Sequence, residues 1–202
     1  MGITGLLKKL SPVTKSSHIS EFKGKTIAVD GYCWLHRAVY GCCIELCTNV
    51  ETNRWLTYIT SWIDMLLSYN IKVYMIFDGA ALPSKGGTES NRKELRKENL
   101  EKGLNYLNSN DRENAQRYLS RAVNVTPLMA SRLINLLKKI RPDVICLVAP
   151  YEADAQLAFL SINNIVDSVI SEDSDLIPFG CKDIIFKLDQ KSGKLLLLSL
   201  FL

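Results

Sequence analysis

At 202 residues, 47% hydrophobic and 23% charged, the chain can build one sizeable core, and its composition excludes a disordered or fibrous protein. A net charge of +4 suits a polyanionic partner without demanding one. No stretch approaches the roughly 20 apolar residues of a membrane span, and the start MGITGLLKKL lacks the apolar run of a secretory signal. Six cysteines, two of them adjacent (Cys42 and Cys43) and one inside an apolar run (Cys146), therefore read as thiols of a reducing compartment.

Taken in order, residues 2–10 read as a short amphipathic helix, and Ser11 to Ser20 as polar and turn-like. Thr26 to Val29 is a short buried strand ending at Asp30. Residues 31–48 place Trp34, Leu35, Val39, Cys42 and Leu46 at helical spacing; residues 54–69 do the same with Leu56, Ile59, Trp62, Ile63 and Leu66, and Asn70 is a stop. Val73 to Phe77 is a second strand, ending at Asp78-Gly79. Residues 80–126 change character. After the loop Pro83-Ser84-Lys85-Gly86-Gly87 they are highly charged, with a break near Asn108-Ser109-Asn110. They read as two helices that project from, or cover, the main body. Pro127 to Lys139 is an amphipathic helix, 152–161 another, and 144–148, 166–170 and 184–188 complete the strands. Strands alternating with helices predict one α/β unit over 1–202, with a mostly parallel central sheet, helices on both faces and a helical insertion at 80–126.

In such sheets ligands gather beyond the carboxyl ends of the strands. Asp30, Asp78, the pair Glu152/Asp154 and the pair Asp173/Asp175 all fall at or just past such ends. One acid after a strand is ordinarily a turn or helix cap; six together point to a site. Crowded carboxylates repel, and oxygen-only donors suit Mg²⁺, with Mn²⁺ able to substitute. Two ions so held clamp a phosphodiester, generate hydroxide near neutral pH and neutralise the leaving oxygen. The absence of a Gly-rich phosphate loop, of G-x-S-x-G, and of any histidine beyond His18 and His36 agrees with a mechanism that needs no nucleophilic side chain. Residues i and i+2 point apart on a helix, so Glu152 is expected at the helix start. Asp173 and Asp175 share a side if the strand continues that far.

Lys85, Arg92, Lys93, Arg96, Lys97 and Lys102 crowd the insertion. Glu89/Lys93 and Glu98/Lys102 have the i,i+4 order of a solvated helix, whereas Arg92 and Arg96 lie one turn apart on a face poor in acids and suit phosphate. Both readings stand. Tyr32 and His36, also one turn apart, are placed to stack on a base and meet a phosphate, or to be ordinary core. Cys33, His36, Cys43 and Cys47 are zinc-type ligands, but at no zinc-module spacing.

MGITGLL, AVDGYCWLHR, IFDGAALPSK, APYEADAQLAFL and SEDSDLIPFG resemble the blocks of the structure-specific 5′ nucleases of the flap endonuclease/XPG type. Tyr32 to His36, the Glu-Ala-Asp-Ala-Gln at 152–156 and the Glu-Asp-Ser-Asp at 172–175 are most similar to its exonuclease 1 branch. The resemblance implies a PIN-like core, with an N-terminal region over 1–100, a helical arch at 80–126 and an internal region over 138–190. It implies two Mg²⁺ ions on Asp30, Asp78, Glu152, Asp154, Asp173 and Asp175. Lys85 and Arg92 would meet the scissile phosphate, with Arg96 beside them, while Tyr32, His36 and Gly2 would lie against DNA. The implied activity is 5′→3′ digestion of duplex DNA from ends and nicks, plus 5′-flap cleavage. The implied setting is a nuclear monomer in mismatch repair and end resection, working with mismatch-repair proteins and away from membranes. The alternatives are a catalytically inactive DNA-binding fragment and a flap endonuclease proper.

The family pattern continues into a seventh carboxylate and a helix–two-turn–helix that grips the duplex. Here no acid follows Asp189, and the chain runs out in Leu195-Leu196-Leu197-Leu198-Ser199-Leu200-Phe201-Leu202. The expectation is a truncated core, one ligand short and impaired. Its last strand would lack a partner, and its apolar tail would be exposed and prone to aggregate.

Overall fold

The computed structural model describes residues 5–80 and 86–200, without the side chains of 7, 8 and 86–89. A seven-stranded sheet runs through it in the order β1-β7-β6-β5-β2-β3-β4. The central strands β2 (Thr26–Asp30), β3 (Lys72–Phe77), β4 (Ile145–Val148), β5 (Ser168–Ile170) and β6 (Asp183–Phe186) pair in parallel. The flanking strands β1 (Thr14–His18) and β7 (Lys194–Ser199) are antiparallel. Helices cover both faces, as the alternating pattern requires.

Side-chain alternation along β2 sends Ile27 and Val29 to one layer and Ala28 to the other. The first layer packs against α2 (Gly31–Tyr40), α4 (Arg54–Ser68) and α7 (Pro127–Ile140) through Trp34, Leu35, Ile59, Trp62, Ile63, Leu66, Leu133 and Leu137. The second joins Ala28, Ile76, Val169, Ile184 and Phe186 to Leu157 and Leu160 of α8 (Ala153–Ile162). Burial on both faces explains why β2 reads as an unbroken apolar run. The α7 helix begins where its residues dictate: Thr126 caps the Met129 amide, and Pro127 occupies the first turn.

Four expectations are corrected. Ser11 to Ser20 is not merely turn-like, because Thr14–His18 forms β1, held by β7 in the register Thr14↔Leu198 to His18↔Lys194. The helix over 31–48 breaks after Tyr40 and resumes as α3 (Cys43–Cys47). As far as the described residues go, the leucine-rich end is not an exposed tail, and Phe201 and Leu202 lie outside them. Residues 194–199 form β7, bonded to β1 on one side and β6 on the other, with Leu195 and Leu198 buried. β6 therefore has its partner, whose hydrogen bonds a lone edge would have lacked. Lastly, β5 stops at Ile170, so no strand reaches Asp173.

The charged insertion is a hairpin of α5 (Gly86–Asn108) and α6 (Arg112–Ala122), turning through Asn110 at φ 61°. Gly103 allows the two helices to touch: a Cβ there would sit 2.6 Å from the Leu119 side chain. Leu100, Leu104 and Leu107 of α5 pack with buried Ala115 and Leu119 of α6 and with Cys43 of α3. The hairpin is thus anchored at its far half, while residues 90–95 are exposed. No described helix is long and apolar enough to cross a membrane.

Candidate active site

Asp30 is the last residue of β2 and the cap of α2. Its Oδ1 accepts from the Cys33 amide at 2.9 Å and its Oδ2 from the Ser171 hydroxyl at 3.0 Å. Burial raises its carboxyl above the usual range, with Asp78 and Asp173 adding repulsion. Asp78 follows β3 directly and accepts from the Ala153 amide at 2.7 Å, so it caps the first turn of α8. Its loop is tied down through Gly79, whose amide donates to Tyr151 O at 2.6 Å, and Ala80, whose amide donates to Pro150 O at 3.1 Å. A Cβ on Gly79 would lie 1.9 Å from Ala149 O, so only glycine permits this approach.

Glu152 sits at the N-cap position of α8 in extended backbone, the looser start anticipated for it. Asp154 is in the first helical turn, and its carboxyl is pushed up to about 7. Desolvation is the largest cause, followed by Asp30, Asp173, Asp78 and Glu152. Acids from four strand ends therefore act on one carboxylate. Asp173 accepts from the Asp175 amide at 3.0 Å and caps a short 3₁₀ turn, Ser174–Leu176. That turn, rather than strand alternation, sets the relation of Asp173 to Asp175. Among the described residues no three carboxylate, imidazole or thiolate side chains form a group that could hold a metal ion as they stand. The donor set still fits a hard divalent cation: it is all oxygen, partly buried and electrostatically crowded.

The basic side of the site comes from α2 and α5. His36 is held below its ordinary pKa, first by desolvation and also by Arg96 and Arg92, while Asp78 opposes them. Both arginines of α5 are thus within electrostatic reach of His36 on α2, and so is Asp78. Tyr32, half-buried, meets Phe77 edge-on with centroids 6.4 Å apart. Lys85 and Gly2 lie outside the described residues, and so does the Glu89 side chain. Lys102 pairs with Glu98 at 3.7 Å, as a solvated helix would have it. The zinc arrangement does not assemble. The Cys43 and Cys47 thiols donate to Gln116 O and Leu119 O of α6, and Cys33 lies beside Asp30.

The full-chain similarity agrees with this geometry. The XPG N-terminal domain model matches residues 1–99 and the XPG I-region model residues 143–197. The chain belongs to the XPG family. The two XPG segments carry the six acids between them, and residues 100–142, with most of the α5–α6 hairpin, fall in the gap. Exodeoxyribonuclease 1 of Schizosaccharomyces pombe is 47% identical over 189 residues, which cover 94% of this chain and 33% of that protein. The chain spans 24% to 33% of the length of the first curated relatives it matches. Its fold is that of the catalytic core of Rad2 in complex with DNA substrate, with a TM-score of 0.69 at 21% identity, covering 98% of this chain and 53% of that one. It is also that of the junction-resolving enzyme GEN1 in complex with product DNA, Mg²⁺ and Mn²⁺, with a TM-score of 0.58 at 20% identity, covering 98% and 40%.

Two features of the candidate site escaped the residue pattern. Ser171 links two of the acids. Glu172, instead of joining them, accepts from the Lys187 amide at 2.9 Å and pairs with its ammonium at 2.6 Å, holding Lys187 at φ 53°. A serine inside Ile-Ser-Glu-Asp-Ser-Asp is the only signal the sequence offers for the first.

Proposed function

We propose that this chain is the nuclease core of an exonuclease 1-type enzyme, which hydrolyses DNA phosphodiesters 5′→3′ from duplex ends and nicks and cleaves 5′ flaps. The observation that carries the reading is Asp154, whose carboxyl feels Asp30, Asp78, Glu152 and Asp173 together, beside a basic group of Arg92, Arg96 and His36. The names of the relatives and the DNA- and metal-bound neighbours support it.

In this reading Asp30, Asp78, Glu152, Asp154, Asp173 and Asp175 hold two Mg²⁺ ions, or Mn²⁺ in their place, directly or through water. Such ions supply a hydroxide near neutral pH and neutralise the leaving oxygen. The chain's own residues do the rest. Lys85 and Arg92 meet the scissile phosphate, with Arg96 as a further candidate beside them. Tyr32 and His36 meet the terminal nucleotides, the tyrosine by stacking. The Asp78 and Asp30 caps hold their carboxylates at the ends of β3 and β2, so little reorganisation is needed when substrate enters. Water attacks phosphorus, the bond to the leaving oxygen breaks, and that oxygen takes up a proton. The setting proposed is the nucleus, in DNA repair alongside mismatch-repair proteins, with the chain acting as a monomer.

Digestion of a 5′-recessed duplex in Mg²⁺, with EDTA and Asp173→Ala as controls, tests the reading. Product that appears only with metal, and only from the unaltered chain, supports it. Equal digestion by Asp173→Ala overturns it. A second reading, a DNA-binding core without turnover, is favoured by the absence of a ready-made ligand group among the described residues. It predicts DNA binding and no cleavage even at high Mn²⁺.

A further inference from the structure

We infer that Ser171 is a positioning residue that couples two of the site's acids through one hydroxyl. The inference rests on the metal-site reading above. The Ser171 side chain sits at the carboxyl end of β5, 1% exposed. Its Oγ donates to Asp30 Oδ2 at 3.0 Å and accepts from the Asp173 amide at 3.1 Å. Its own amide donates to Ile185 O on β6 at 3.3 Å, which seats it between strands. The hydroxyl's single hydrogen is committed to Asp30, and its lone pair to the turn that presents Asp173.

The arrangement does two things that the acids cannot do for themselves. Asp30 Oδ1 is already taken by the Cys33 amide. The Ser171 hydrogen bond therefore sets the rotation of the whole carboxylate and its remaining lone pairs. Asp173 in turn caps the 3₁₀ turn bearing Asp175, so fixing the Asp173 amide fixes the turn from which both acids project. One buried hydroxyl thus holds the end of β2 in register with the loop after β5, independently of the backbone pairing Val29↔Ile170 that ends just short of it. Groups that orient ligating carboxylates typically change metal affinity by roughly 10- to 100-fold when removed. Removing this one takes a hydrogen-bond partner from a buried carboxylate oxygen and from a backbone amide at once.

The test uses the whole chain. Mg²⁺ and Mn²⁺ binding is measured by calorimetry for the unaltered protein, Ser171→Ala and Ser171→Cys. DNA affinity in EDTA and the thermal midpoint are measured alongside. The expected result is metal binding weakened roughly 10- to 100-fold in the alanine variant and less in the cysteine variant, whose thiol is a weaker donor, with DNA affinity in EDTA unchanged. If Ser171→Ala does not fold, Ser171→Cys carries the comparison. Unaltered metal binding in a folded variant overturns the inference. So does parallel loss of metal and DNA binding, which marks general distortion, or a lowered midpoint alone. If the unaltered chain itself binds neither ion, the metal-site reading fails first, and that result is distinct from a failure of Ser171.

Discussion

The Asp78 carboxylate accepts a 2.7 Å hydrogen bond from the Ala153 amide, and so the loop after β3 is bolted to the first turn of the helix that carries Asp154. Two acids far apart in the chain are brought together by a cap. The approach depends on Gly79, where a Cβ would lie 1.9 Å from Ala149 O. Gly79→Ala is expected to push the two loops apart, lower the thermal midpoint by several degrees and abolish the nuclease activity proposed for the chain. Differential scanning fluorimetry and a 5′-recessed duplex assay check it. Midpoint and activity equal to the unaltered chain would count against the bolt.

The Asp154 carboxyl titrates near 7 in the fold against an ordinary 3.8. The folded state therefore binds the extra proton, and metal-free stability falls as pH rises from about 4 through 7. Asp154→Asn is expected to raise the midpoint at pH 8 by a few degrees and to leave it unchanged at about pH 2.5, where the acid is protonated folded or unfolded. Thermal melts in EDTA across that range read the difference.

Arg92 and Arg96 both hold the His36 pKa down. Replacing them together by alanine is expected to raise it. His18 is the only other imidazole in the chain, so the two sets of ring shifts that move with pH near neutrality report it directly. The same variant is expected to weaken DNA binding by roughly tenfold or more, since the proposed role of both arginines is a charge-assisted contact with phosphate.

All six thiols are raised above their ordinary pKa, Cys33 to about 12 and Cys47 to about 11, chiefly by desolvation. Thiolate is the reactive form. Iodoacetamide at pH 8 is therefore expected to label the folded chain far more slowly than the urea-unfolded chain, as mass spectrometry would show. Fast labelling of Cys33 in the folded state would contradict its placement beside Asp30.

Leu198 is 1% exposed and pairs with Thr14 on one side and Ile184 on the other. Leu198→Ala is expected to cost about 2–5 kcal/mol by urea unfolding, the range for a buried leucine. A cost near zero would mean that residues 194–199 are not a strand of the sheet.

The acids were legible because the strands before them are apolar on both faces: Thr26 to Val29 and Val73 to Phe77 each run without a break into an aspartate. Strand-end position, read off such runs, is a local property. So was the helical start at Glu152, set by the extended backbone before Ala153. The α5–α6 hairpin showed in its charge and in the Asn108-Ser109-Asn110 break.

What sequence alone determined, then, is the order of the five central strands with the helices between them and the identity of the carboxylates that follow them, since apolar periodicity and turn residues are written within a dozen positions. Tertiary structure alone decided where the polar run 14–18 and the leucines of 194–199 belong. Residues 14–18 have no partner nearby and become a strand only when paired across the sheet with residues 194–198, which themselves fold back onto Asp183–Phe186. It also decided which hydroxyl joins Asp30 to the Asp173 turn, because the contact spans 141 residues and forms only after β2 and β5 lie side by side.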